Sequence, residues 1–215
     1  AFYQQVIEQV PGVALTMRTQ WFGGVYVDER NFFAQFACEP GKMARLYPEY
    51  KIAPAELDAF VRDRTGCLVG KKLVERFGWK VGDRITLQGR IFPFDLQLTI
   101  RAVYDSEDAS ALYFNYDYLN EGLKSKNYAA DSIGTVYIMA RSAEDVPRIM
   151  DAVDAKFKNS LAQTKTETER AFVLGFVSML GNIKTLIISI SSVIVFTILL
   201  VVANTMGMAI RERTV

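Results

Sequence analysis

Residues 185–210 read TLIISISSVIVFTILLVVANTMGMAI, a stretch of 26 residues without one charged side chain. As an α-helix it would be about 39 Å long, and about 20 apolar residues suffice to cross the hydrocarbon core of a bilayer. The stretch is apolar on every face, whereas a helix in the core of a soluble domain keeps a polar face. A signal peptide would be shorter and would lie at the other end. We therefore predict a transmembrane helix over residues 185–210.

The polar residues of this segment suit a helix that packs inside a bilayer. Serine and threonine side chains can hydrogen-bond to their own helix or to a neighbouring one. For Asn204 and Gly207 we expect packing against another transmembrane helix, with contact to a transported ion or substrate as the alternative. Arg211 and Arg213 follow directly. They favour a cytoplasmic location for the C-terminal side, although basic residues also precede the segment.

Residues 166–184 are predicted to form an amphipathic helix that leads into the membrane. Its apolar residues recur at three- and four-residue steps and so share one face: Phe172, Phe176, Met179, Leu180 and Ile183. Such a helix either packs on the preceding domain or projects as a stalk that pairs with an equivalent helix. Continuity with the membrane segment favours the stalk.

Residues 1–165 alternate short helices with strands. The clearest strand is Leu96–Ala102, in which apolar and polar residues alternate strictly. Further strands are predicted over residues 84–88 and 135–140. Helices are predicted over residues 2–10 and 144–158, and another helix carries Val69, Leu73, Val74 and Phe77 on one face and ends at Gly78. This order predicts an α+β domain with a mixed or antiparallel sheet.

The composition excludes several classes of function. The formal net charge is +1 and there is no basic run, so a nucleic-acid partner is not expected. Histidine is absent, which removes the commonest general base and the commonest metal ligand. The adjacent acids Glu107 and Asp108 are expected to be solvated surface. We expect no catalytic residue, metal or cofactor in this chain.

Residues 66–72, GCLVGKK, resemble a phosphate-binding loop only superficially. That loop needs four residues between its glycines and Ser or Thr after the lysine. Here three residues separate Gly66 from Gly70, and Lys72 follows Lys71. We therefore predict no nucleotide binding at this segment.

Two further features leave alternatives open. Cys38 and Cys67 form either one disulfide in an oxidising compartment or two buried thiols on neighbouring strands, and the thiols are the favoured alternative. Residues 112–118, LYFNYDY, are either a strand with alternating buried rings, which we favour, or an exposed surface for a peptide or lipid.

Four segments carry a resemblance to a known family. Residues 68–73 with 77–87, LVGKKL and FGWKVGDRITL, resemble the periplasmic core domain of MacB/FtsX/LolC-type permeases, as do residues 21–24 and 98–104. After the membrane segment, residues 203–206 and 211–215, ANTM and RERTV, resemble the start of the family's cytoplasmic coupling segment. The chain opens without an initiator methionine and is expected to be a piece of a longer protein.

The resemblance implies an organisation for the chain. Residues 1–165 would be an extracytoplasmic core domain, residues 166–184 a stalk, residues 185–210 the membrane helix and residues 211–215 the start of the coupling segment. Residues 1–184 would lie outside the cytoplasmic membrane of a bacterium. Arg211, Glu212 and Arg213 would begin the contact with an ATPase.

It also implies a function and partners. The parent permease would couple ATP hydrolysis by an ABC ATPase to motion of the outer domain and would export or extract a lipoprotein, peptide or drug. Its partners would be the ATPase, a second permease copy or paralogue, membrane lipid and an extracytoplasmic protein. The alternative is a membrane-anchored regulatory or binding module that recruits an extracytoplasmic partner without transport.

Overall fold

The structure, a computed structural model, describes residues 2–213, apart from the side chains of residues 176, 177, 179–184 and 207–213 in the last helix. The chain divides into two compact units, one up to Phe157 and one from Lys158 onward.

The first unit is an α+β domain. Its strands are β1 (Val13–Trp21), β2 (Ala34–Cys38), β3 (Lys51–Ile52), β4 (Gly66–Gly70), β5 (Arg84–Leu87), β6 (Leu96–Asp105), β7 (Ala111–Asn115) and β8 (Thr135–Ala140). Its helices are α1 (Phe2–Glu8), α2 (Pro40–Leu46), α3 (Pro54–Arg62), α4 (Lys71–Phe77), α5 (Tyr116–Ser125) and α6 (Asp145–Phe157).

All eight strands form one sheet in the order β3-β6-β4-β7-β2-β1-β8, with β5 paired to β6. The pairs β2–β7 and β4–β6 are parallel. The other pairs, such as β1–β8 and β5–β6, are antiparallel. The sheet is therefore mixed, which confirms the predicted fold class.

Apolar clusters cover the sheet. One contains Phe22, Leu73, Trp79, Leu98 and Phe114 beneath α4 and α5. A second contains Met43, Phe60, Leu68 and Tyr104 beneath α2 and α3. A third joins α1 and α6 to the β1–β8 edge through Ile7, Val13, Ile149 and Phe157. The domain thus has its own core.

Regular apolar periodicity correctly predicted several elements. In β6, alternate residues from Leu96 to Tyr104 are buried. In α6, Ile149, Val153 and Phe157 are the buried residues. Gly78 ends α4 in the left-handed conformation, with φ of 69°. Glycine adopts this conformation without the steric cost that a Cβ would add.

Other assignments need correction. Residues Gly66–Gly70 form a strand buried along its whole length, so Val69 lies in β4 and not on the predicted helix. A fully buried strand shows no alternation, so its sequence does not separate it from a helix. The aromatic segment is a strand only as far as Asn115, whose side chain accepts a hydrogen bond from the Asp117 N–H and caps α5.

The second unit contains α7, one helix from Glu169 to Arg213. It begins three residues later than the predicted stalk because Thr168 caps it. The Thr168 hydroxyl accepts a hydrogen bond from the Ala171 N–H at 3.2 Å, and its carbonyl accepts one from the Phe172 N–H at 3.0 Å. Residues 158–168 lie outside any helix or strand.

Candidate functional site

The 22 residues Thr185–Met206 of α7 are long and apolar enough to cross a membrane, and no other helix in the described part of the chain is. Their large apolar side chains are exposed on all sides, from Ile187 through Phe196 to Val201. In water such a surface would be strongly unfavourable, whereas lipid chains would cover it.

Four hydroxyl groups of this span are satisfied within the helix. Ser189, Ser192, Thr197 and Thr205 each donate a hydrogen bond to the carbonyl oxygen four residues earlier, at 2.7–2.9 Å. A hydroxyl bonded in this way needs no partner from water or from another helix. These residues are therefore compatible with a position against lipid.

Asn204, one of the two predicted packing residues, is exposed in α7. Its amide carries donors and acceptors that a hydrocarbon environment leaves unsatisfied, so a neighbouring transmembrane helix would stabilise it. The structure describes neither the side chains of Arg211, Glu212 and Arg213 nor the surroundings of Gly207.

The predicted stalk face is described at one position. Phe172 lies in the first turn of α7 and is 53% exposed, with Val173 and Leu174 exposed beside it. The side chains of Phe176, Met179, Leu180 and Ile183 lie outside the described ones. The Phe172 ring is thus more than half exposed.

The segment that superficially resembles a phosphate loop is structural. Lys71 Nζ bonds Asp105 Oδ2 at 2.8 Å, and Lys72 Nζ bonds the Glu107 carbonyl at 2.9 Å. The two lysines therefore tie α4 to the last residue of β6 and to the loop that follows it. Within the described residues, no three His, Cys, Asp or Glu side chains are grouped to hold a metal ion.

Cys38 and Cys67 are buried free thiols. They lie in β2 and β4, which are separated by β7, and they pack in different apolar clusters. The favoured expectation of two buried thiols is confirmed, whereas their placement on neighbouring strands was wrong. Strands two apart are about 10 Å distant, which is too far for the alternative of a disulfide. Burial raises the pKa of both thiols, and the Glu39 charge adds to this for Cys38.

A polar network that the sequence analysis did not identify joins α1, β1 and the start of α2. The Gln4 amide donates to Glu39 Oε2 at 2.7 Å and to Thr16 Oγ1 at 3.2 Å. Arg18 lies 4.2 Å above the Tyr116 ring, and its guanidinium is 3.4 Å from Asp117 Oδ1. These residues are far apart in sequence and share no motif, so only the fold reveals them.

A shallow cavity of about 250 Å³ opens beside this network, between Arg18, Glu39, Lys42 and Asp117. Each charge in it already has an opposite charge within 4 Å, for example Lys42 with Glu39 at 3.2 Å and with Glu8 at 3.5 Å. The network therefore holds α1 and α2 against the sheet.

Comparison with solved structures shows the same fold in two transporter domains. The extracellular domain of the noncanonic ABC-type transporter YknZ from Gram-positive bacteria is 13% identical, with a TM-score of 0.55 over 76% of this chain and 84% of that one. The periplasmic region of MacB from Actinobacillus actinomycetemcomitans is 9% identical, with a TM-score of 0.53 over 73% of this chain and 72% of that one. No curated protein sequence matches this chain significantly.

The family model of the MacB-like periplasmic core domain matches residues 3–156. The match covers the sheet and all six of the helices that pack on it, from α1 to α6. The resemblance read from residues 68–87 and 98–104 is confirmed by this match. The chain therefore belongs to the family of MacB-like periplasmic core domains of ABC transporter permeases.

Proposed function

We propose that this chain is the part of a permease that transmits movement between the membrane and an extracytoplasmic domain. The observation that carries the proposal is the continuity of α7, which runs unbroken for 45 residues through the stalk segment and the membrane span. At 1.5 Å per residue the helix is about 67 Å long. A continuous helix can carry a displacement along its length.

The remaining features are assigned on the basis of the family. Residues 1–165 would be the extracytoplasmic domain, residues 185–210 the span in a bacterial cytoplasmic membrane, and residues 211–215 the start of the cytoplasmic segment. Arg211, Glu212 and Arg213 would contact the ABC ATPase, whose ATP hydrolysis drives the movement. Their alternating charges suit a polar docking surface.

Inside the membrane, Asn204 and Gly207 would pack against helices of the same permease or of a second copy or paralogue. A polar amide beside a small residue favours close helix contacts. The cargo would be a lipoprotein, peptide or drug that is exported or extracted.

One observation favours the alternative function. Residues 158–168 join the domain to α7 without forming a helix or strand. Such a joint transmits displacement less efficiently than a continuous helix, and it would suffice for a module that is only anchored and recruits an extracytoplasmic partner.

A test in the parent permease separates the two functions. Residues 171–174 of α7 are replaced by Gly-Ser-Gly-Ser, in which each glycine costs about 1 kcal/mol of helix stability relative to alanine. Transport should be lost, while membrane insertion and basal ATPase activity stay unchanged, because the helix loses its stiffness. Four alanines at 171–174, which remove the Phe172 side chain as well but keep the helix, should retain transport. Transport and ATPase activity are measured in proteoliposomes.

The matched control places the same four residues at 161–164, where the chain is already outside a helix. This variant should keep transport. Full transport in the 171–174 variant would show that stiffness is not needed and would favour the anchored module.

A further inference from the structure

Two loops of the domain carry an exposed apolar surface that the proposed function does not use. Val27 is 73% exposed, Phe32 68% and Ile91 61%. The half-buried Trp21 ring lies 6.0 Å from the Phe32 ring, and Gly23 lies between the Trp21 and Ile91 side chains. We call Trp21, Val27, Phe32 and Ile91 the apolar tip.

The apolar tip is held in a fixed conformation. Val25 and Gln88 exchange two backbone hydrogen bonds of 2.9 and 2.8 Å, which join the two loops. The Arg76 guanidinium donates to the carbonyls of Arg30 and Phe32. Val27 itself has φ of 60°, an unfavourable conformation for a β-branched residue. The fold therefore maintains a strained, exposed valine instead of burying it.

The charges around the apolar tip compensate one another. Asp28 pairs with Arg30 at 2.9 Å, and Glu29 pairs with Arg90 at 3.2 Å. These ion pairs leave no excess charge beside the exposed apolar side chains. The affinity of the apolar tip for a partner should therefore depend on the apolar area that is buried and should change little with salt concentration.

The apolar tip lies at the end of β1 towards which α6, the last helix of the domain, runs. α6 starts against Gly12, beside the first residue of β1, and its last residue Phe157 stacks on Tyr3 at 4.5 Å. The neighbouring Gln4 bonds Thr16, further along β1. α6 therefore runs in the direction of β1, towards Trp21, where that strand ends.

We propose that the apolar tip inserts into the surface of the lipid bilayer. Side chains that are more than 60% exposed project from the domain, and a bilayer accepts them without a complementary pocket. Tryptophan beside aliphatic side chains is typical of the boundary between headgroups and acyl chains. A protein partner would instead have to supply a pocket for each projecting side chain.

The chain is long enough for this contact. The helical residues 169–184 rise about 24 Å before the span begins. The 11 residues of 158–168 can extend over about 36 Å, so the domain can return to the membrane surface. The inference rests on the membrane placement of Thr185–Met206 that is part of the proposed function.

Tryptophan fluorescence tests the inference, because the chain has two tryptophans and Trp79 is only 5% exposed. The full chain with Trp79→Phe is reconstituted in phosphatidylcholine vesicles whose acyl chains carry bromine, a short-range quencher. Interfacial apolar groups reach about 5–10 Å into the headgroup–acyl boundary, so Trp21 emission should fall about twofold relative to unbrominated vesicles. If Trp79→Phe does not fold, the unsubstituted chain is compared with Trp21→Phe, and their difference reports Trp21.

Two matched variants make the test specific. V27S/F32S/I91S should abolish the quenching of Trp21, whereas V61S/V81S/Y128S, which changes exposed apolar residues elsewhere, should leave it unchanged. High salt should not reduce it. Unquenched Trp21 in the unmodified tip would overturn the inference and leave the tip as a surface for an extracytoplasmic protein.

A reporter within the span separates this failure from failure of the proposed function. F196W in a W21F/W79F background should be strongly quenched if Thr185–Met206 crosses the bilayer. Quenched Trp at position 196 with unquenched Trp21 refutes only the contact of the tip. Unquenched Trp at both positions refutes the membrane placement itself.

Discussion

The two cysteines illustrate how a buried side chain differs chemically from the same side chain in water. Burial raises the pKa of Cys38 and Cys67, so the reactive thiolate is scarce in the folded protein. Each thiol is also completely enclosed. Both properties predict an inert pair of thiols, whatever the redox state of the compartment.

We therefore expect that a thiol reagent at about pH 8, close to the ordinary thiol pKa of about 8.5, modifies neither cysteine in the folded chain. Both should react after unfolding in urea without a reductant. Absorbance of the released reagent and intact mass measure the modification. A chain that needs reduction before it reacts would contradict the free thiols.

Asp63 gives the domain a pH dependence. Burial acts to raise the pKa of its carboxyl, but hydrogen bonds from Arg101 at 2.6 Å and from Thr65 lower that pKa overall. Because the pKa of the Asp63 carboxyl is lower in the folded than in the unfolded chain, its carboxylate stabilises the fold at pH values above the pKa of the unfolded chain. This contribution is lost as the pH falls through the folded pKa.

Asp63→Asn should thus lower the free energy of unfolding by about 1 kcal/mol near pH 7. The loss should shrink as the pH falls below the ordinary Asp pKa of about 3.9, because acid removes the stabilising effect of the carboxylate from the unsubstituted chain as well. Tryptophan fluorescence during urea unfolding in detergent reports this domain, since Trp21 and Trp79 both lie in it. The exposed Asp58, 3.8 Å from Arg62, provides the control Asp58→Asn, which should show little effect at either pH. If both variants lost the same free energy of unfolding, the Asp63 carboxylate would stabilise the fold no more than an exposed one.

Among the elements, β4 depends on a glycine for its position. A Cβ on Gly70 would overlap the backbone carbonyl of Ala109, which also accepts a hydrogen bond from the Lys72 N–H. Gly70→Ala should therefore destabilise the domain by at least about 2 kcal/mol, because the obstacle is backbone and cannot rotate away. Gly41→Ala, with no neighbour within 4 Å in α2, should be neutral or slightly stabilising. Similar urea midpoints for the two variants would contradict this packing.

How well the elements could be predicted depends on the regularity of their burial. Elements with one buried face, such as β6 and α6, show a periodic sequence and were predicted. β4 is buried throughout, and residues 34–62, which form β2, α2, β3 and α3, were not assigned at all. The polar network around Arg18 and the apolar tip each contain residues from separate loops, helices or strands. No local sequence pattern predicts that these residues lie close together. The uncharged run 185–210, by contrast, was evident from composition alone.

On the scale of the whole molecule, the apolar clusters lie entirely within the first unit. Residues 1–165 should accordingly express as a soluble folded domain, because the exposed apolar span lies beyond them. Size-exclusion chromatography and circular dichroism test this, with the full chain, which should need detergent, as the control. A truncation that aggregates while the full chain stays soluble without detergent would refute the membrane assignment.

The stacking of Tyr3 on Phe157 has a consequence for how such proteins evolve. The first and last helices of the domain touch, so the chain enters and leaves the domain at neighbouring points. If the domain were removed, a short peptide could join the two flanking segments. Domains with adjacent termini tolerate insertion and replacement because the flanking segments keep their spacing. During evolution, a permease can therefore exchange this domain for a different extracytoplasmic domain while its transmembrane helices stay the same.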